Sequence, residues 1–177
     1  MRLKRPCPTP NARLAPLWAV PRYRQKLRCW KTSSPGWTFW SSAAEWQTPF
    51  WGASLQEPDY FDTAKDIMAQ AARSGCRVIL PEDGLVATEF AEGAAHQVVQ
   101  LGSNTVLETD QMVLDAGPQS IATLGAAFLG LKTLIWNGPM GAFEISPFDR
   151  ATVEAAKAAA QQTRDGALIS VAGGGDT

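Results

Sequence analysis

Two short stretches carry residues whose types and spacing could do chemistry. GGGDT, residues 173–177, sets Gly173, Gly174 and Gly175 before Asp176 and Thr177. Three residues without Cβ let backbone N–H groups come close to an anion, and a carboxylate and a hydroxyl follow. WNGPMGAFE, residues 136–144, holds Asn137, two glycines and a proline in a stiff loop that ends in the carboxylate of Glu144. Taken singly, each has an ordinary reading as well: a tight turn for the first, a structured turn with a solvated Glu144 for the second. Three cysteines (Cys7, Cys29, Cys76) and the single His96 exclude a disulfide framework or a Cys/His metal site of usual spacing, and Cys76 reads as a residue buried in a strand.

The elements that must position these loops read from residue 59 onward. In YFDTAKDIMAQAARSG the apolar residues Phe61, Ala64, Ile67, Met68, Ala71 and Ala72 recur at helical spacing, and Gly75 ends the run. CRVIL (76–80), HQVVQL (96–101) and QMVLD (111–115) are expected to be buried strands. GPQSIATLGAAFLG starts a helix with Pro118 at the first position, where its fixed φ fits and its missing N–H costs nothing. TLIW (133–136) is a strand, ATVEAAKAAAQQTRDG (151–166) a helix stopped by Gly166, and ALISVA (167–172) a strand running into the glycines. Strands alternating with helices imply an α/β fold, a Rossmann-like parallel sheet with helices on both faces. Both loops follow strands, and in such sheets ligands bind beyond the carboxyl ends of the strands.

Together, TLIWNGPMGAFE and, about thirty residues later, SVAGGGDT resemble the C-terminal, nucleotide-binding domain of phosphoglycerate kinase. The likeness extends upstream through QMVLDAGPQSI, CRVILPEDGLVA and SLQEPDYFDTAKDIMAQA, covering residues 54–177. The resemblance implies a part of a cytoplasmic, usually monomeric glycolytic enzyme that transfers a phosphoryl group between 1,3-bisphosphoglycerate and ADP, giving ATP and 3-phosphoglycerate. It implies ATP or ADP with Mg²⁺ as ligand. Glu144 would accept hydrogen bonds from the ribose hydroxyls, and Gly173, Gly174, Gly175, Asp176 and Thr177 would lie along the phosphates, with Asp176 near the Mg²⁺. Met112 and Leu114 would be apolar walls of the adenine slot, with Asn137 and Gly141 at its rim. Core packing is the alternative for Met112 and Leu114. PEDGL (81–85) departs from the family pattern, which is more apolar after the aspartate, and Gly84 leaves the start of that strand open. The family's N-terminal domain, which holds the phosphoglycerate with basic residues, has no counterpart in the sequence. Nor does the helix that follows Thr177 in the family, so half a site is expected to supply little catalysis by itself.

Residues 1–52 are unlike the rest. They carry six of the seven tryptophans and nine Lys or Arg against one acid, Glu45, whereas residues 53–177 carry seven bases against sixteen acids. No stretch reaches the ~18 apolar residues of a membrane span. WTFWSSAAEWQTPFW (37–51) has no regular period. One reading is a basic, aromatic arm for single-stranded nucleic acid. The other is a frameshift. Tryptophan has one codon, so the frame formed by each codon's third base and the next two bases is constrained. Trp18-Ala19 then forces Gly, Cys29-Trp30-Lys31 forces Leu-Glu, Trp37-Thr38 forces Asp, Trp46-Gln47 forces Ala and Phe50-Trp51-Gly52 forces Leu-Gly. The displaced frame can spell the family's VGGAKVSTK, LENL and IGGGMA.TFL in order. Residues 1–52 are accordingly expected to be an out-of-frame, poorly packed segment, and 53–177 a partial nucleotide-binding α/β domain, with no nucleic acid or membrane as partner.

Overall fold

The computed structural model of the protein describes residues 14–18, 38–41, 61–102 and 105–173. Along the chain come β1 (Leu14–Trp18), β2 (Thr38–Ser41), α1 (Phe61–Ser74), β3 (Arg77–Ile79), β4 (Asp83–Ala87), β5 (His96–Gln100), β6 (Met112–Ala116), α2 (Pro118–Phe128), β7 (Thr133–Asn137), α3 (Arg150–Arg164) and β8 (Ile169–Gly173). Five strands form a parallel sheet in the order β3-β2-β1-β7-β8. The connection β2-α1-β3 steps toward one edge and β7-α3-β8 toward the other. Because such crossovers are right-handed, the two helices fall on opposite faces, as in a doubly wound sheet.

The remaining three strands do not join that sheet. They make an antiparallel one, β5-β4-β6. Strands 83–87, 96–100 and 112–116 follow one another with no helix between them, and short connections favour antiparallel neighbours. HQVVQL is therefore an exposed edge rather than a buried strand: Val98 is 52% exposed, and Val99 packs inward against Val86, Leu101 and Leu107. The centre of the sheet is β4, the strand that Gly84 left open, and all five of its residues are buried. A Cβ on Gly84 would come within 2.8 Å of Val113 and 2.9 Å of Leu101, so glycine is what lets these two side chains close over it.

Two pieces of residues 1–52 form strands of the parallel sheet. Leu14–Trp18 lies between β2 and β7, and Thr38–Ser41 between β1 and β3. Parallel pairing is made by backbone N–H and C=O groups, so it asks less of side-chain pattern than core packing does. The rest of residues 1–52 lies outside the described residues.

The main core sits where β7 meets α2 and α3. Leu134 and Trp136, two apart on one face of the strand, pack with Leu124 and Phe128 of α2 and with Ala151, Ala155 and Ala159 of α3. Alanine at every fourth position gives α3 a flat stripe that lets the helix lie close. Burial of Leu124, Phe128 and Leu134 stabilises the fold by roughly 1.5–3 kcal/mol each. Helix α1 ends at Gly75, whose φ of 69° suits a residue without Cβ, and Cys76 N–H closes the turn onto Ala71 O at 2.9 Å. Cys76 is buried just before β3, and burial pushes its thiol up to about 11.

Candidate functional site

Register places Gly173, the first residue of the GGGDT motif, beside Asn137. In the parallel ladder Asn137, the last residue of β7, pairs with Gly173 of β8 on one side and with Trp18 of β1 on the other. β7 and β8 thus end side by side at the same end of the sheet. Winding reverses between β1 and β7, so this end is also the topological switch point at which open α/β sheets form a crevice.

The loop after β7 is held at both sides. Trp136 Nε1 donates to Gly138 O at 2.7 Å, and Gly138 and Gly141 take φ of 98° and 61°, values that favour glycine. Thr152 Oγ1 accepts from Met140 N–H at 2.8 Å and donates to Met140 O at 2.7 Å, pinning a fully buried methionine to α3. Ala142 N–H donates to Leu114 O at 2.7 Å, which fastens the loop to β6. Glu144, two residues further, is exposed to solvent. Gly141 and Glu144 accordingly lie beside the strand that carries Met112 and Leu114.

Leu114 is 5% exposed and packs with Leu85, Ala87, Ala94 and Phe148, while Met112 is half-buried at the border of that cluster with Ala142 and Ile145. Packing was the alternative raised for these two side chains, and both take part in this cluster, Met112 at its border. The side chain of Asn137 and residues Gly174, Gly175, Asp176 and Thr177 lie outside the described residues, and Gly173 is described as the end of β8. Among the described residues no group of three or more His, Cys, Asp or Glu could hold a metal ion.

Two carboxylates matter that the sequence reading passed over. Asp83, 1% exposed, caps α2 from a distant strand: its Oδ1 accepts from Ser120 N–H at 2.7 Å and its Oδ2 from Gln119 N–H at 3.0 Å. Asp115, 2% exposed, does the same for α3, its Oδ2 accepting from Ala151 N–H at 2.9 Å. The helices' own N-cap residues, Gly117 and Asp149, make no side-chain capping bond. Unlike Asp83, Asp115 has an oxygen with no partner, the buried Oδ1. Burial pushes the Asp115 carboxyl up to about 7; the bond from Ala151 and the nearby N–H of Ala116 pull it down, Asp149 pushes it up and Arg150 opposes that. The available signal was an acid inside an apolar run, MVLDA, directly before a Gly-Pro helix start.

A profile of the phosphoglycerate kinase family matches residues 43–177. The chain belongs to that family. The phosphoglycerate kinase of Roseobacter denitrificans is 65% identical over 126 residues, 71% of this chain and 32% of that protein. The Agrobacterium fabrum enzyme is 56% identical over 126 residues, again 71% of this chain and 31% of the relative. Among solved structures, phosphoglycerate kinase from Coxiella burnetii superposes with a TM-score of 0.80 at 26% identity, over 94% of this chain and 43% of that one. The Pyrococcus horikoshii enzyme, at 19% identity and a TM-score of 0.62, shares the fold. The chain spans about a third of the length of the curated relatives it matches. No helix among the described residues is long and apolar enough to cross a membrane.

Proposed function

We propose that this part of a phosphoglycerate kinase carries one wall of a cleft for ADP or ATP, in an enzyme that moves a phosphoryl group between 1,3-bisphosphoglycerate and ADP in cytoplasmic glycolysis. The observation that supports the reading is the pairing of Asn137 with Gly173 at the switch point, where β7 and β8 end side by side. In this reading the ribose hydroxyls donate to Glu144, an exposed carboxylate at the end of a loop fastened at Trp136, Met140 and Ala142. Gly141 and Asn137 form the rim of the adenine slot beside Met112 and Leu114. Beyond Gly173, the end of β8, Gly174, Gly175 and Thr177 would lie along the phosphates, and Asp176 would hold Mg²⁺ bound with the nucleotide, whose hard-oxygen preference suits a carboxylate. The metal neutralises charge on the phosphates; the chain's own residues bind and orient.

Residues 1–177 by themselves are expected to bind ADP no more tightly than about millimolar, roughly -4 kcal/mol, and not to turn over 1,3-bisphosphoglycerate. Titration calorimetry should show weaker ADP binding in Glu144→Gln, because a charged acceptor of two hydroxyls becomes a neutral one. Binding unchanged by that substitution, or kinase activity surviving it, refutes the assignment.

The division of the chain at residues 52/53 belongs to the same proposal, with the first segment read in a displaced frame. Supporting it, β1 ends at Trp18 and β2 at Ser41, next to codons that in the other frame force or permit the family's glycine-rich turns. Reading the source DNA tests it: stop codons scattered through that frame refute it.

A further inference from the structure

The contrast between the two capping carboxylates carries one step further. Asp83 has donors on both oxygens. Asp115 has them on one side only, and its other oxygen faces the backbone of the candidate binding loop. A Cβ on Gly141 would overlap Asp115 Oδ1 and lie 2.7 Å from Leu114 O, so the loop backbone sits directly on this carboxyl. The same loop is fastened one residue later, where Ala142 N–H meets Leu114 O at 2.7 Å. On the far side Asp115 Oδ2 holds Ala151 N–H in the first turn of α3, the helix whose Thr152 pins Met140. One buried side chain therefore touches β6, α3 and the left-handed residue of the loop.

We propose that Asp115 is a positioning residue for the nucleotide site, seating the Gly141–Glu144 loop on β6 in a way that depends on whether its carboxyl carries a proton. This rests on the nucleotide reading of that loop. An ionised Oδ1 is a buried charge without a donor, and removing that charge requires either a proton or displacement of the backbone that covers it. The charged groups that face it are Asp149 and Arg150 at the start of α3. From β4 the register partner is Leu85, and the loop presents backbone at Gly141. Neither supplies a compensating cation. Burial sets the proton's release near neutrality, so the loop is held in its seat in the protonated form and loosens as the proton leaves.

The test is a pH titration of the whole chain by NMR, from about pH 5.5 to about pH 8.5, on either side of the raised value. The amide resonances of Gly141, Ala142 and Ala151 should move together with a midpoint near the Asp115 carboxyl carbon's own, and the movement should vanish in Asp115→Asn. Adenosine is the ligand probe, because its base and ribose do not titrate in this range. Its binding should weaken toward high pH in the wild-type chain and become independent of pH in Asp115→Asn. The wild-type titration needs no variant, so a misfolded Asp115→Asn leaves the test standing. A carboxyl carbon that titrates in the ordinary aspartate range, or loop amides that do not follow it, overturns the proposal whatever adenosine does. Loop amides that follow it with no shift on adding adenosine support the seating and count against the nucleotide reading. Adenosine binding as strong at high pH as at low, with the amides moving, overturns the positioning role.

Discussion

Replacing Gly117 with alanine tests the capping of α2 by Asp83. Gly117 has φ -78° and ψ 173°, an ordinary extended conformation, so alanine meets no backbone strain there. By the unfolded-state argument alone Gly117→Ala would stabilise by about 0.4–1 kcal/mol. The structure predicts the opposite, because the new Cβ would overlap the Asp83 carboxylate, within 2.7 Å of its Oδ1. That carboxylate is buried and holds the N–H groups of Gln119 and Ser120, so it cannot swing away without orphaning them. Overpacking of this kind costs about 1–3 kcal/mol. Asp83→Ala removes three bonds to this carboxyl, from Gln119 N–H, Ser120 N–H and the Ser120 hydroxyl, and after relaxation an overall loss of about 3–4 kcal/mol is expected. In the double variant the clash disappears with the carboxylate. Its loss should match that of Asp83→Ala, giving a coupling of about 2 kcal/mol in urea denaturation. Additive single losses, or a stabilised Gly117→Ala, would refute trans-capping as the reason for glycine at this position.

Thr152→Val keeps shape but leaves Met140 N–H and C=O without their partner, and a loss of about 2–3 kcal/mol in urea denaturation is expected, with Thr152→Ser close to wild type. A loss below about 0.5 kcal/mol would show that the hydroxyl does not hold the loop. The Asp115 carboxyl also predicts a stability profile. Its folded value, about 7, is raised well above the ordinary aspartate value, so the native state binds the proton more tightly. Its stabilising contribution is complete below the unfolded value, is lost between about pH 4 and about pH 7, and stays lost above; the full span is at most about 4 kcal/mol. The difference between wild type and Asp115→Asn across that range isolates it, and a difference that does not change with pH would refute the burial argument.

Helices were legible because their signals are local: apolar residues at helical spacing, Pro118 at the first position of α2, and Gly75 and Gly166 at φ of 69° and 72° just past the ends of α1 and α3. Strand positions were legible too, but not their membership of a sheet. HQVVQL reads alike as a buried strand or as the edge it is, since its partners lie along Asp83–Ala87, a strand blurred by Gly84. The loops of the candidate site could be named from composition and spacing, whereas the adjacency of Asn137 and Gly173 is a fact of pairing that no single stretch contains. The carboxylates beneath them were hidden for a related reason. An acid in an apolar strand looks like a solvent-facing position until the helix whose N–H groups it receives is known, and for both Asp83 and Asp115 that helix starts elsewhere in the chain. Each ties a strand of the antiparallel sheet to the first turn of a helix that packs on the parallel sheet, so the two sheets are joined through carboxyl hydrogen bonds at helix N-termini as well as through apolar contact. Only Asp83 is satisfied on both oxygens. The unsatisfied oxygen lies under Gly141, which places the least settled polar group of this junction beneath the loop that carries Glu144.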